Sequence, residues 1–401
     1  MTRLMDGFPP SPERQVTLAN WRTPPFNRWA FHHVREIVPS ADIPNDPGSM
    51  LELPSNPVDL GTLSIERSGE APRSLHDVLN ETSVDGLVIA NRGRIVFEHY
   101  APGMTPETPH ILMSVSKSLL GLLAGVLADR GDLRPDRPVA EVLPEIADTA
   151  YQGATIRHLL DMRAGVAFDE DYLADSGPIV EYRKATGWNP LAAGQQPSDL
   201  REFYRTLKDL GGPHGGPLHY ISPNTDLLGW VIERTTGQRY ADLMSDLIWK
   251  PLGAARSAYI TVDRLGAPRC AGGVCVTARD LARVGHLIVH GGARGSKQII
   301  PERWIEDIVH HGDPDAWSAG DLADYFGGAV ARYRSQWYVK DEAAPLAFGY
   351  GIHGQYLFVD RRHEIVIAIV SSQALPLDAE RNALTMRAVA RVRQFLAGSS
   401  R

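Results

Sequence analysis

The sequence predicts an α/β domain into which an all-helical domain is inserted. Two observations carry this expectation: β-rich runs stand toward both ends of the chain, and the stretch between them follows helical periodicity. Toward the front, residues 87–90 and 94–100 flank Asn91-Arg92-Gly93, the signature of a hairpin. Toward the back, residues 355–359 and 365–372 flank a polar turn through Arg361 and Glu364 and repeat that signature. Between them, apolar spacing near 3.6 predicts helices over 114–129, 155–162, 198–207, 225–235 and 240–249. The expected domains are an α/β sheet domain of residues 1–100 and 266–401, and a helical domain of residues 101–265.

The remaining elements follow in order. Residues 1–80 are proline-rich, and Asn27-Arg28-Trp29-Ala30-Phe31 opens a helix to about Ile37 whose aromatics should pack on the main body. Within 114–129 the apolar stretch 119–128 is about half of the ~20 residues a membrane span needs. With glycine at 121 and 125, it reads as a buried helix. Thr277 is the expected N-cap of a further helix, and residues 384–396 form a last amphipathic one.

Composition excludes several function classes. The 401 residues carry 41 Lys+Arg against 48 Asp+Glu, a net charge of −7, so no basic field invites nucleic acid or an anionic membrane. The two cysteines, Cys270 and Cys275, cannot build a disulfide framework or a four-thiolate zinc site and read as buried thiols. No His-Glu-x-x-His occurs, and His32-His33 and His310-His311 are neighbours that point apart on a helix, so no metal is expected. Neither a dinucleotide fingerprint nor a Walker A loop is present, so no cofactor is expected. Residues 1–16 lack the apolar core of an export signal, which places the expected protein in the cytoplasm.

Three places can carry chemistry. In Met113-Ser114-Val115-Ser116-Lys117 the hydroxyl and the amine are three residues apart on one helical face. Leu119, Leu120, Leu122 and Leu123 follow, and an apolar neighbourhood disfavours the ammonium form, freeing the lysine to activate a serine. Tyr220, in a glycine-rich loop before a helix, suits the return of a proton to a leaving atom. Gly349-Tyr350-Gly351 at a strand start lets a substrate approach the backbone, where free N–H groups stabilise an oxyanion. His353 nearby reads as a structural hydrogen-bonding residue. No Gly-x-Ser-x-Gly elbow occurs, so an α/β-hydrolase triad lacks its nucleophile turn.

In this order and around a helical insert, Ser114-x-x-Lys117, Tyr220 and the glycine-rich strand start resemble the class C branch of the serine β-lactamase and penicillin-recognising superfamily. Several segments are more closely similar to the 6-aminohexanoate-dimer hydrolases: Leu112 to Ser118, Glu170-Asp171-Tyr172, Asn224-Thr225-Asp226, Thr277 to Gly285 and Gly351 to Gln355. The resemblance spans almost the whole chain. It implies a β-lactamase/transpeptidase-like fold, an antiparallel sheet flanked by helices with the helical domain inserted. It also implies Ser114 as nucleophile, Lys117 as its base, Tyr220 as proton relay, and the N–H groups of Ser114 and Ile352 as oxyanion hole. At the substrate it implies Tyr172 on a loop over the site, together with Glu181, Arg183, Trp188, Ala271 and Trp337.

Departures from the family pattern shape the expected function. Where β-lactamases carry Lys-Thr-Gly on the strand, this chain has Gly349-Tyr350-Gly351 and lacks the cation. Ala271 and Arg183 stand where the nylon-active relatives carry an asparagine and an acid, so a cationic amine end is less welcome. The expected protein is a cytoplasmic serine hydrolase that forms an acyl-enzyme with carboxylic esters of short to medium acyl chains, with linear amides such as 6-aminohexanoate oligomers as weaker substrates. Its expected partner is a small-molecule ester or amide, with no nucleic acid and no membrane, and a homodimer is the assembly to test. The alternatives are a β-lactamase or D-alanyl-D-alanine peptidase, which the missing cation and export signal disfavour, and a non-catalytic binding protein, which the intact Ser114, Lys117 and Tyr220 disfavour.

Overall fold

The structure is a computed structural model that describes residues 4–67, 69–328 and 330–398; residues 1–3 and 399–401, the ends of the expected sheet domain, lie outside the described residues. Its two larger sheets are built from Ser40–Ile43 (β1), Val84–Asn91 (β2), Arg94–Tyr100 (β3), Pro109–Ile111 (β4), Ala258–Thr261 (β5), Val274–Thr277 (β6), Arg332–Arg334 (β7), Trp337–Lys340 (β8), Leu346–Gly351 (β9), Gln355–Asp360 (β10) and Ile365–Ser371 (β11). The larger sheet is antiparallel throughout, in the order β7-β8-β9-β10-β11-β2-β3. The pairing of β11 with β2, Ile367 opposite Ile89, joins the late hairpin to the early one. Both hairpins stand where the sequence predicts them.

Alternation along these strands explains their unbroken apolar runs. Ile365, Ile367 and Ile369 pack with Phe348, Tyr356 and Phe358 on one face, and Val366, Ala368 and Val370 with Ala347, Leu357 and Val359 on the other. Each face is covered by helices, so no residue of the central strands needs to be polar. The helices that matter for the site are Val115–Asp129 (α1), Pro178–Ala185 (α2), Ser222–Thr236 (α3), Ala278–Val289 (α4) and Ala379–Gly398 (α5). Apolar residues of α5 and of Leu75–Glu81 join the first face, and those of α1 and α4 the second.

The structure departs from the sequence expectation in several places. The segment read as helical also holds β4 and β5, which pair into a second antiparallel sheet ordered β1-β5-β6-β4. Strands of three and four residues are too short to display an alternation. The helix expected over 27–37 breaks into Asn27–Ala30 and a 3-10 turn, Val34–Glu36. There Phe31 is wholly buried between the rings of His110 and His353, and tertiary packing overrides local periodicity. The helix expected over 240–249 runs from Tyr240 to Met244 and then widens into a π turn, Ser245–Trp249. As expected, Thr277 caps α4, its side chain accepting from the Asp280 N–H, and Cys270 and Cys275 are free buried thiols. Among the described residues no helix is long and apolar enough to cross a membrane.

The two glycines of α1 have a packing role. A Cβ at Gly121 would stand 2.1 Å from the Ser335 carbonyl oxygen, and one at Gly125 would stand 2.4 Å from the Trp304 ring. The indole of Trp304 also donates to the Gly121 carbonyl at 2.9 Å. Helix propensity favours alanine over glycine by about 1 kcal/mol. Gly121→Ala is nevertheless expected to destabilise the protein by about 1–3 kcal/mol, because backbone cannot swing aside as a side chain can. Denaturant unfolding checks the sign: a raised midpoint would contradict the packing account.

Candidate active site

Ser114 sits at the turn that starts α1. Met113 before it adopts φ 44°, a left-handed conformation uncommon for a side chain of its size, and Ser114 itself is already helical at φ −68°, ψ −8°. One turn on, Lys117 is only 1% exposed. Its Nζ lies 2.7 Å from Ser114 Oγ, 2.8 Å from the Ala271 carbonyl oxygen and 3.1 Å from Ser222 Oγ. Burial pushes its pKa down from 10.5 to about 7, with Glu170 acting in the opposite sense.

These partners fix how a neutral Lys117 must point. A carbonyl can only accept, so one amine N–H goes to Ala271. The Ser222 hydroxyl gives its own proton to the Glu170 carboxylate, so its oxygen also accepts from Lys117. Both N–H groups are then used, and the lone pair faces the Ser114 hydroxyl. Glu170 is held in turn by the Ser222 N–H and by the Tyr172 hydroxyl at 2.9 Å.

Tyr220 approaches from the loop before α3, with Lys117 Nζ 5.0 Å from its ring centroid. Burial pushes the phenol above its ordinary pKa while the neighbouring Ser114 hydroxyl opposes the shift, so at neutral pH Tyr220 keeps its proton. Asp321 anchors the loop, accepting from the Tyr220 N–H at 3.1 Å and pairing with His219 at 2.7 Å. A buried cluster holds Ala271: its N–H donates to Asp226 at 2.7 Å, and Arg269 and Tyr182 donate to the other oxygen of that carboxylate.

The sheet closes the site through glycine. A Cβ at Gly351 would stand 2.9 Å from the Ser114 nitrogen and 2.7 Å from the Leu112 carbonyl oxygen, so only glycine lets β9 lie against the turn carrying Ser114. The chain then reverses through Ile352, His353 and Gly354 before Gln355 pairs back with Gly351. His353, at φ 62°, is buried with Nδ1 2.7 Å from the Gln373 carbonyl, and burial lowers its pKa to about 4. It is a neutral structural residue, as the sequence suggests.

Ser114 and Ile352 border two spaces. A cleft of about 640 Å³ is walled by Phe168, Tyr172, Tyr220, Leu322, Tyr338 and Tyr350. A narrow recess of about 30 Å³ is walled by Arg22, Arg183, Trp188, Arg269, Ala271 and Gly272. Tyr172 borders both.

Two expected site residues are elsewhere. Glu181 is exposed, pairing with Lys184 at 2.8 Å and Gln195 at 2.9 Å; two residues along a helix turn through about 200°, so Glu181 faces out where Arg183 faces in. Trp337 is wholly buried beneath α1, donating to the Ser118 carbonyl at 3.1 Å, and strand alternation gives the cleft to Tyr338 instead. Sequence reasoning missed Ser222, Glu170, Arg22, Asp226 and Arg269. Ser222 stands two residues after Tyr220, and Glu170 and Asp226 stand in segments similar to the family, so adjacency and likeness were their signals; Arg269 had none.

Comparison with known proteins identifies the family. The β-lactamase family model matches residues 78–391. The 6-aminohexanoate-dimer hydrolase of Paenarthrobacter ureafaciens is 35% identical over 366 residues, 91% of this chain and 90% of that protein. Esterase EstB of Burkholderia gladioli is 29% identical over 191 residues, 44% of this chain and 47% of its own length. A solved structure from Bacillus anthracis assigned to the 6-aminohexanoate-dimer hydrolases gives a TM-score of 0.85 at 24% identity, covering 96% of this chain and 98% of that one, and so attests the fold. A pattern that alone could be a capped helix with a lysine one turn later thus stands within a matched family and beside relatives named hydrolase and esterase: the chain belongs to the β-lactamase family, is akin within it to the 6-aminohexanoate-dimer hydrolases, and is a serine hydrolase.

Proposed function

We propose that this hydrolase cleaves carboxylic esters of short to medium acyl chains through an acyl-enzyme on Ser114, and that linear amides such as 6-aminohexanoate oligomers are poorer substrates. The observation that carries the reading is the Lys117 lone pair directed at the Ser114 hydroxyl, with both amine N–H groups used elsewhere. Ser114 Oγ attacks the acyl carbon as its proton passes to Lys117. The oxyanion is met by the N–H groups of Ser114 and Ile352, which the Gly351 contact brings close. Collapse breaks the acyl–oxygen bond, and the departing alkoxide takes a proton from the Tyr220 phenol, which Lys117 replenishes. Water then attacks the acyl carbon, returns a proton to this pair and releases the acid with Ser114 restored.

Esters are favoured because an alkoxide leaves with little help, whereas an amide nitrogen must be protonated as it departs and held to receive that proton. A misplacement of about 1 Å can cost ~10²-fold, so lost holding contacts suppress amide cleavage first. Ala271 offers only a methyl at the recess, and Arg183 there is cationic. The kinship with EstB supports the ester reading, and the free thiols of Cys270 and Cys275 are compatible with the cytoplasm we infer.

Three outcomes test the reading. A serine-directed fluorophosphonate is expected to add its mass to the peptide holding Ser114 and to spare Ser114→Ala; equal labelling of that variant would remove Ser114 from its role. The free amine is the active form, so log kcat/KM for ester hydrolysis is expected to fall with unit slope as pH drops below about 7 and to level off above it. A profile flat from about pH 5 to 8 would contradict a Lys117 base. Finally, p-nitrophenyl acetate or butyrate is expected to turn over readily and 6-aminohexanoate dimer poorly, with the dimer gaining from Ala271→Asn combined with Arg183→Asp. Equal rates on ester and dimer in the unmodified protein would defeat the argument from these two positions.

A further inference from the structure

The recess beside Ser114 gathers three guanidinium groups, Arg22, Arg183 and Arg269. Arg269 is answered by the buried Asp226 carboxylate. Arg22 donates to the side-chain oxygen of Asn189, and Arg183 donates to the carbonyls of Ala174 at 3.2 Å and Asp171 at 3.3 Å, all uncharged acceptors. Glu170, the carboxylate that lines the recess, is taken by Ser222 and Tyr172. Among the described residues, Arg22 and Arg183 thus form no ion pair with a carboxylate, and Asp171, the further acid near Arg183, is exposed. The buried Nε atoms of Arg22 and Arg269 have no hydrogen-bond partner, although Arg269 is only 6% exposed. The crowding is felt at Arg22, whose pKa burial, Arg183 and Arg269 together lower to about 9. Such a cluster is unfavourable unless an anion completes it.

The catalytic geometry says which part of the substrate would bring that anion. Tyr220, the proton donor to the leaving group, borders the large cleft and not the recess, whereas Ser114 and Ile352 border both. With the leaving group toward Tyr220, the acyl chain points into the recess. About 30 Å³ is roughly the share of one water molecule, so the recess has room for a small terminal group such as a carboxylate, with the chain that carries it lying along the mouth beside Ser114. Guanidinium groups suit a carboxylate because their paired N–H donors match its two oxygens.

We propose that the preferred acyl group ends in a carboxylate, so that the natural substrate class is the half-esters of short dicarboxylic acids, with Arg22 and Arg183 binding the free carboxylate. The proposal rests on the ester-hydrolase reading above. The reaction is the same: the acyl–oxygen bond breaks, one water is consumed, and the free carboxylate is unchanged.

Ethyl hydrogen glutarate and ethyl valerate have the same chain length and leaving group and differ in the terminal charge. The unmodified protein is expected to favour the glutarate by at least tenfold in kcat/KM, mainly through KM, with the preference shrinking as ionic strength rises. In Arg183→Gln and Arg22→Gln, measured separately, the ratio of the two substrates is expected to fall toward one. The ratio is the readout because Arg183 also pins the loop at 171–174, and a loosened loop would slow both esters alike. A ratio of one or less in the unmodified protein, or a ratio unchanged in both variants, overturns the proposal. If p-nitrophenyl butyrate is cleaved but the glutarate is not preferred, only this proposal falls; if no ester is cleaved, the hydrolase reading falls and takes the proposal with it.

Discussion

The burial of one amine is the constraint to which most of this molecule answers. An ammonium taken out of water costs several kcal/mol, so Lys117 can stay near neutral only where apolar groups surround it and every remaining donor finds an acceptor. The apolar surroundings come from α1, where Leu119, Leu120, Leu122 and Leu123 are wholly buried, and from the glycines that let that helix seat against its neighbours. The acceptors come from the start of α3 and from the loop between β5 and β6. Distant parts of the chain are thus committed to one nitrogen.

That arrangement has a second layer, which sets direction rather than acidity. Glu170 occupies the Ser222 hydroxyl, and Asp226 occupies the Ala271 N–H. Each makes its neighbour present an acceptor to Lys117. The Asp226–Arg269 pair is itself buried and shares Tyr182 as a partner, and breaking such a pair from one side costs about 3–5 kcal/mol, so stability and alignment are coupled there.

What was legible in the sequence was local. The hairpins of the large sheet are read from β-rich runs flanking a polar turn, and α1 and the Ser114–Lys117 spacing from a period near 3.6; all stand where expected. The second sheet was hidden because β4 and β5 are short and their partners are distant in sequence. Likeness to the family located positions but not the direction of their side chains: Glu181 and Trp337 fall in the right elements and on the wrong faces, displaced from the site by two residues of helix and one of strand. Asp226 and Arg269, 43 residues apart, become one unit only through the fold.

The proline-rich arm ahead of the large sheet has a consequence for how this enzyme could change. Trp21 donates to the Trp188 carbonyl at 3.1 Å, Asn27 is buried against the carbonyls of Ser372 and Gln373, and Arg22 forms part of the recess wall. The arm lies ahead of residue 78, where the family match begins. The reacting groups and one wall of the recess are therefore encoded in separate stretches of the chain. Under the reading proposed above, substitutions in the arm would alter which acyl groups the recess admits while leaving the residues assigned to bond breaking untouched.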